Sequence, residues 1–410
     1  MSNIIRKVNL KKDLKHIQRI WHEVGWVGHD EFKYLDDWVK NSNGLVAEVN
    51  GQAECYVSSL LGDFKYQQQA IPFSGITAVT TSFIARKQGL AGKMTALQIA
   101  NDALSGAIIS GLSMFEQGFY NQLGYGNGTY EYLIEFSPST LAINQPFRIP
   151  ERLTKKHYKE IHESRLHRLR KHGSCVLPIS NTKFEVSCGS KKFGLGYRDE
   201  NNNLTHHIWL NGLGSEDGPL YVKWLNYQNY NQFIELMALI KSLGDQIKLI
   251  SMIEPPDIFI QDILKKPFFH RYLSKNSKLM NQNKSFSFSQ FRILDLFRCI
   301  EITTLEIKEF SFNLKLSDPI ESYLDSSSEW QGISGEYIIT LGQNSFCEIG
   351  KNKKLDTLHT TVNGFTRMWA GVLPASSLII SEDFSANENL IQKLDYAFAS
   401  LPKPHPDWDF

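Results

Sequence analysis

The segment from Gly75 to Lys93, Gly-Ile-Thr-Ala-Val-Thr-Thr-Ser-Phe-Ile-Ala-Arg-Lys-Gln-Gly-Leu-Ala-Gly-Lys, constrains the fold more than any other part of the chain. It passes from β-branched residues through a turn holding Arg86, Lys87, Gln88 and Gly89 into a helix expected over 90–104. The apolar stripe of that helix runs Leu90, Met94, Leu97, Ala100 and Leu104. A strand that delivers such a turn to a helix N-terminus leaves backbone N–H groups without intrahelical acceptors, and the helix dipole favours an anion there. Gly89 and Gly92 admit a pyrophosphate close to the backbone, and Arg86, Lys87 and Lys93 add charge.

Two familiar phosphate cradles fail on the same letters. A nucleotide P-loop needs glycine where Lys87 stands and Ser or Thr where Met94 stands. A dinucleotide fingerprint opens a helix, whereas Gly124-Tyr125-Gly126-Asn127-Gly128 leads into a strand.

The rest of the first third alternates strands and helices. Strands are expected at 4–8, 44–49 and 53–61, the last two joined at the hairpin turn Asn50-Gly51. A helix begins at Asp13 with Ile17, Ile20 and Val24 on one face, a β-rich stretch covers 71–84, and a strand covers 107–114. A short helical turn at 117–123 and a closing strand at 129–136 complete it. A basic helix is expected over 150–171, then a hairpin at 193–211, strand 220–225, helix 232–243 and strand 247–253. This order repeats the first third without its glycine turn. Beyond the polar stretch 274–287 come a helix at 291–301, strands at 309–316, 336–341, 346–349 and 355–361, and a helix at 389–401, an α+β pattern. Prolines 402, 404 and 406 stiffen the approach to Asp407, Trp408, Asp409 and Phe410.

Composition narrows the function. The 44 basic against 43 acidic residues give +1, which excludes a global pull toward nucleic acid. No apolar stretch approaches the roughly 20 residues of a membrane span. Five scattered cysteines without a Cys-x-x-Cys pair, and no signal-peptide core, point to a reducing, cytoplasmic home without a metal site. His157, His162, His167 and His172 recur every five residues, which on a helix separates neighbours by about 140° and argues against zinc. The basic residues around them read as a solvated helix face or a subunit contact.

Arg86-x-x-Gly89-x-Ala91 resembles the coenzyme A pyrophosphate loop of the GNAT superfamily of N-acetyltransferases. The segment Phe115-Glu116-Gln117-Gly118-Phe119-Tyr120-Asn121-Gln122-Leu123-Gly124-Tyr125-Gly126 is similar to the aromatic and glycine stretch of its enhanced intracellular survival (Eis) family. The resemblance spans the chain and implies an α+β fold of two tandem GNAT-like acetyltransferase folds followed by a sterol-carrier-protein-like domain. The implied domains are 1–136 (coenzyme-binding), 137–288 (no coenzyme loop) and 289–410 (supplying the catalytic C-terminus). It implies acetyl-CoA as cosubstrate, contacted by Val79, Thr80, Thr81, Lys87, Gln88, Gly89, Leu90, Ala91, Gly92, Phe115 and Glu116. Tyr120 falls on the general acid and the α-carboxylate of Phe410 on the general base. The resemblance also implies an acceptor that is a primary amine on an aminoglycoside, a polyamine or a lysine side chain, and a hexameric assembly. Two departures stand out: Phe115 replaces a usual Ser, and Gln88 a common second arginine.

The residue types suit direct transfer. An alkylamine with a pKa near 10 must lose its proton, and a thiolate whose acid has a pKa near 8.5 gains from a donor such as tyrosine. Backbone N–H groups beside Val79–Thr81 can polarise an acetyl carbonyl. Asp30, Glu31 and Asp409 are candidate contacts for a cationic acceptor and Trp38 a candidate wall. The competing expectations are a lipid-binding module built on the last third and a degenerate acetyltransferase serving as a scaffold.

Overall fold

Asn9 starts the first helix by accepting hydrogen bonds from the N–H groups of Lys11 and Lys12 at 3.1 and 3.3 Å. The structure is a computed structural model that describes residues 4–189, 191–212, 218–267 and 280–410. β1 (Ile4–Lys7) precedes that helix, α1 (Leu10–Glu23), and α2 (Phe32–Lys40) occupies a stretch in which no element is expected from the sequence. β2 (Asn43–Val49) and β3 (Gln52–Tyr66) meet at Asn50-Gly51, whose φ values of 53° and 80° are the left-handed pair a two-residue hairpin needs. β4 (Gln69–Thr81) returns antiparallel to β3. α3 (Leu90–Leu104) then carries the chain back so that β5 (Ile109–Ser113) lies parallel to β4. α4 (Gln117–Asn121) and β6 (Gly126–Asn127) follow.

β7 (Glu131–Phe136), expected at the end of the first third, pairs within a second sheet. The helix expected over 150–171 is replaced by β8 (Glu151–Leu153) and a shorter α5 (Tyr158–Leu166); Glu151-Arg152-Leu153 is taken up by pairing with a later strand. β9 (Cys175–Val176) belongs to the first sheet, antiparallel to β3. The second sheet continues with α6 (Ile179–Ser187), β10 (Lys192–Arg198), β11 (Leu204–Asn211), β12 (Leu220–Asn226), α7 (Tyr230–Ser242), β13 (Ile250–Ile253) and β14 (Gln282–Phe286). Among the described residues its order is β14-β7-β13-β12-β11-β10-β8. Phe136, Ile208, Leu236, Met237, Ile240 and Ile250 form its core.

The helix expected at 291–301 splits. β15 (Ser289–Ile293) is a fully buried strand inserted between β5 and β6, and only after Asp295 caps the Arg298 N–H does α8 (Leu296–Glu301) begin. A five-stranded sheet closes the chain with β16 (Phe310–Ser317), β17 (Gly335–Leu341), β18 (Phe346–Ile349), β19 (Thr357–Thr361), α9 (Val362–Trp369), α10 (Ala375–Ser381), β20 (Phe384–Ser385) and α11 (Glu388–Phe398). The whole is mixed α+β, as expected. Its compact units are Met1–Thr129 with His172–Pro178 and Ser287–Phe410, and Tyr130–Lys171 with Ile179–Phe286.

Residues 172–178 act as a strap inside the first unit. The Lys65 N–H donates to Ser174 O at 2.9 Å and the Gly173 N–H to Lys65 O at 2.8 Å. Gly62 and Gly173 lack room for a side chain: a Cβ would lie 1.9 Å from Val176 O at the first and 2.3 Å from His405 N at the second. The strap also holds the tail, since His405 N–H donates to His172 O at 3.0 Å and Cys175 N–H to Asp407 Oδ1 at 3.1 Å.

His172 Nδ1 accepts from the Gln67 N–H at 3.0 Å while Nε2 donates to Ala370 O at 3.0 Å, so a second ring proton would face a donor. Burial first of all lowers this imidazole to about 4. Between about pH 6.5 and 4 the unfolded chain therefore takes a proton that the folded chain refuses, and stability falls with pH. Wild type should lose more of its urea midpoint between pH 7 and pH 4.5 than His172→Gln does; equal losses would refute the assignment.

Candidate active site

β4 and β5 run side by side only from Phe73↔Ile109 to Ile76↔Leu112. Beyond Ile76, β4 continues to Thr81 while β5 ends at Ser113, so among the described residues no strand lies beside the edge of β4 from Thr77 onward that would face β5. The other edge stays paired with β3, but with a bulge: Ser58 faces Thr77 and Tyr56 faces Thr80, leaving Ala78 and Val79 opposite Val57. Ala78 takes φ 58°, a left-handed value that costs an alanine about 1 kcal/mol or more and turns the strand. The Thr80 and Thr81 side chains turn away onto Ala78 O (3.1 Å) and Cys55 Sγ (3.1 Å), so what they offer the fork is backbone.

The fork is stapled just before it opens. Ser110 Oγ donates to Ser74 O at 2.9 Å and meets the Tyr125 hydroxyl at 2.7 Å. Asp102 of α3 accepts from Ser74 Oγ (2.6 Å), Ser59 Oγ (2.9 Å) and Gln98 Nε2 (3.0 Å), and burial raises its carboxyl to about 6. These bonds tie β3, β4, β5 and α3 into one rigid base.

After β4 the chain passes through Arg86, Lys87 and Gln88, all exposed, to Gly89 at φ 73°. No side chain caps α3, and its first backbone bond runs from Lys93 N–H to Gly89 O at 3.2 Å, so the N–H groups of Leu90, Ala91 and Gly92 remain for an acceptor. A Cβ on Gly89 would meet nothing within 4 Å; glycine is there for its φ. Gly92 differs, because its missing Cβ makes room for the Tyr323 ring, 3.0 Å from that position. Lys93 pairs with Asp325 at 3.1 Å, which offsets its charge.

Tyr120, on α4, is buried with Ile76, Leu112, Leu123 and Tyr125, and Val79 packs against the same cluster. Phe119 meets it edge-on at 4.9 Å. Burial, then the neighbouring Glu116 charge, pushes its phenol up to about 12, and no described residue bonds its hydroxyl. Phe115 is 92% exposed at the end of β5, and Glu116 stands at the head of α4.

Phe410 lies against the opposite face of β4. Its ring packs 3.2 Å from where Gly75 would carry a Cβ and meets Phe73 edge-on at 5.3 Å, while Ser74 and Ile76 point to the α3 and Tyr120 side. The two expected catalytic residues thus flank the last paired residues of the fork from its two faces. A glycine inside a strand signals a close approach, so Gly75, passed over as such a cue in the sequence, is the letter that could have marked this one. Nothing in the letters marks Ala78.

The expected acceptor contacts are less gathered. Glu31 caps the Gly28 N–H at 2.8 Å, and Asp30 is exposed beside it. Trp38 is interior, 5.4 Å from Trp21, and Trp26 is the 47% exposed ring of that cluster. Asp409 is exposed next to buried Trp408.

Residues 5–128 match the family model described as an acetyltransferase (GNAT) domain. That segment is a GNAT acetyltransferase domain, and the chain that carries it is an enzyme. Over its whole length it shares its fold with a probable N-acyltransferase from Enterococcus faecalis V583 (15% identity, TM-score 0.80, 100% of both chains covered). It is similar also to a GCN5-related N-acetyltransferase from Anabaena variabilis (15% identity, TM-score 0.78, 99% of this chain and 100% of that one). Eis1 from Mycobacterium abscessus has the same fold at 13% identity and TM-score 0.76, with 100% of both chains covered. No curated protein sequence matches. At these identities the likeness is one of fold.

Gly89→Ala should cost about 1 kcal/mol, and Gly89→Asn less, because asparagine tolerates the left-handed region although it is larger. Denaturation midpoints read the difference; an asparagine variant weaker than the alanine one would mean that space governs the site.

Proposed function

We propose that this chain is an Eis-type N-acetyltransferase that moves the acetyl group of acetyl-CoA directly to a primary amine of a cationic acceptor. The observation that carries the reading is the fork, with its open β4 edge leading within a few residues to the uncapped N-terminus of α3. These groups fit the coenzyme's two polar parts. The free N–H groups of Leu90, Ala91 and Gly92, with Lys87 and Gln88, would hold its pyrophosphate, and the Val79–Thr81 backbone its amide-bearing arm. Phe115 and Glu116 border the same opening. Bound there, acetyl-CoA supplies an activated acyl group whose leaving thiolate needs stabilising.

At about 12, Tyr120 is fully protonated at neutral pH. Full proton transfer to a thiolate of pKa about 8.5 would run uphill by roughly three and a half pK units, so the phenol acts chiefly by hydrogen-bond donation as charge builds on sulfur. The α-carboxylate of Phe410 is anionic at pH 7, and we assign it the amine's proton, on the strength of the resemblance and of the ring's seat on Gly75. Asp30 and Asp409 attract a cationic acceptor, an aminoglycoside, a polyamine or a lysine side chain. The sterol-carrier-like last third and the hexamer rest on the resemblance, and a cytoplasmic home on an odd, scattered set of five cysteines.

Thiol release from acetyl-CoA across an amine panel tests the reading; saturable coenzyme binding without turnover on any amine would favour a scaffold instead. Tyr120→Phe should lower kcat roughly 10²- to 10³-fold with KM for acetyl-CoA unchanged. Wild-type kcat should show no tyrosine limb up to about pH 10, and residues added after Phe410 should abolish turnover. Full turnover in the extended chain would refute the carboxylate's role.

A further inference from the structure

Both glycines of Gly124-Tyr125-Gly126 are taken up by the last third of the chain. Gly124 has φ 84°, and a Cβ there would lie 2.7 Å from Arg292 Nη1. A Cβ on Gly126 would lie 2.6 Å from Asn363 O and 2.7 Å from Arg367 Cγ. The motif is a notch cut for side chains that arrive some 170 to 240 residues later, and it begins four residues after Tyr120.

The side chains in the notch bond the turn residue by residue. Arg292, wholly buried on β15, donates from Nη1 to Leu123 O at 2.5 Å and from Nη2 to Asp318 Oδ2 at 2.6 Å. Asp318 is itself fixed by the Ile320 and Ile333 N–H groups at 3.3 and 3.0 Å. From α9, Asn363 Nδ2 donates to Asn121 O at 2.9 Å and Tyr125 O at 2.8 Å. The Tyr323 hydroxyl donates to Gln122 Oε1 at 2.6 Å. A fully buried ion pair stabilises little, because desolvation offsets its attraction, and an apolar pair would fill the space as well. What an apolar pair lacks is a directional donor for the Leu123 carbonyl.

We propose that Arg292, held by Asp318, and Asn363 are positioning residues that fix the turn after Tyr120 and so aim its phenol. The assignment rests on Tyr120 acting as the acid. It makes the last third part of the acid's support, on the opposite side of the first sheet from the Phe410 ring.

The test compares Asn363→Ala and Arg292→Lys in the full chain, each alone and combined with Tyr120→Phe. Asn363→Ala removes two donors without stranding a charge, so it decides the matter should Arg292→Lys not fold. Loss of aim should lower kcat about tenfold or more, as small misplacements of a reacting group do, with KM for acetyl-CoA within about twofold. The loss should vanish in the Tyr120→Phe background, and amide exchange over 121–125 should quicken. An equal loss in both backgrounds, or unchanged exchange over 121–125, overturns the proposal. A wild type inactive on every amine sinks the acetyl-transfer reading instead, and the exchange measurement then judges the clamp alone.

Discussion

Everything around the candidate site depends on two parallel strands parting after a short stretch together. A parallel ladder needs both strands extended and in register, and the left-handed Ala78 ends that condition for β4 one residue beyond the level at which β5 runs out. The backbone this frees would be costly to leave unpaired in an interior, which is why the parting is useful: it offers an ordered, unpaired edge to a partner that is itself a chain of amides. The Asp102 cluster then matters more than its size suggests. By tying Ser59, Ser74 and Gln98 together it prevents the opening from travelling down the sheet.

The same base sets the electrostatics. α3 begins beyond the open edge and presents its positive end, while the apolar cluster around Ile76 and Leu112 keeps Tyr120 neutral. One element attracts charge and the other suppresses it, a few residues apart on the same fold. In the proposed function, that contrast would let a single site hold a polyanionic carrier and still keep a phenol protonated.

Local features were legible in the letters. Asn50-Gly51 made its hairpin, 90–104 made its helix to the residue, and Gly89 took the φ that its place before that helix demands. What escaped was decided by partners far along the chain. Phe291–Ile293 reads as the start of a helix because three residues carry too little strand signal of their own; the register with β5 and β6 makes them, with Ser289 and Gln290, a strand. Gly92 was read as room for a pyrophosphate, and the ring of Tyr323, a residue with no local relation to it, fills that room. At the site, Tyr120 and Phe410 came from the family resemblance, and the strand faces that separate them followed only from the pairing of β4.

The position of β15 has a consequence for how the chain is made. On a ribosome β1 to β5 emerge first, and β5 then carries an unpaired edge while the entire second sheet is synthesised. Among the described residues β6 has no strand beside it until Gln290 and Phe291 appear, and the turn bearing Tyr120 lacks the donor to its Leu123 carbonyl until Arg292 and the donor to its Asn121 carbonyl until Asn363. The acetyltransferase domain therefore begins before the second sheet is synthesised and is completed only after it, with an edge exposed to other chains during that interval.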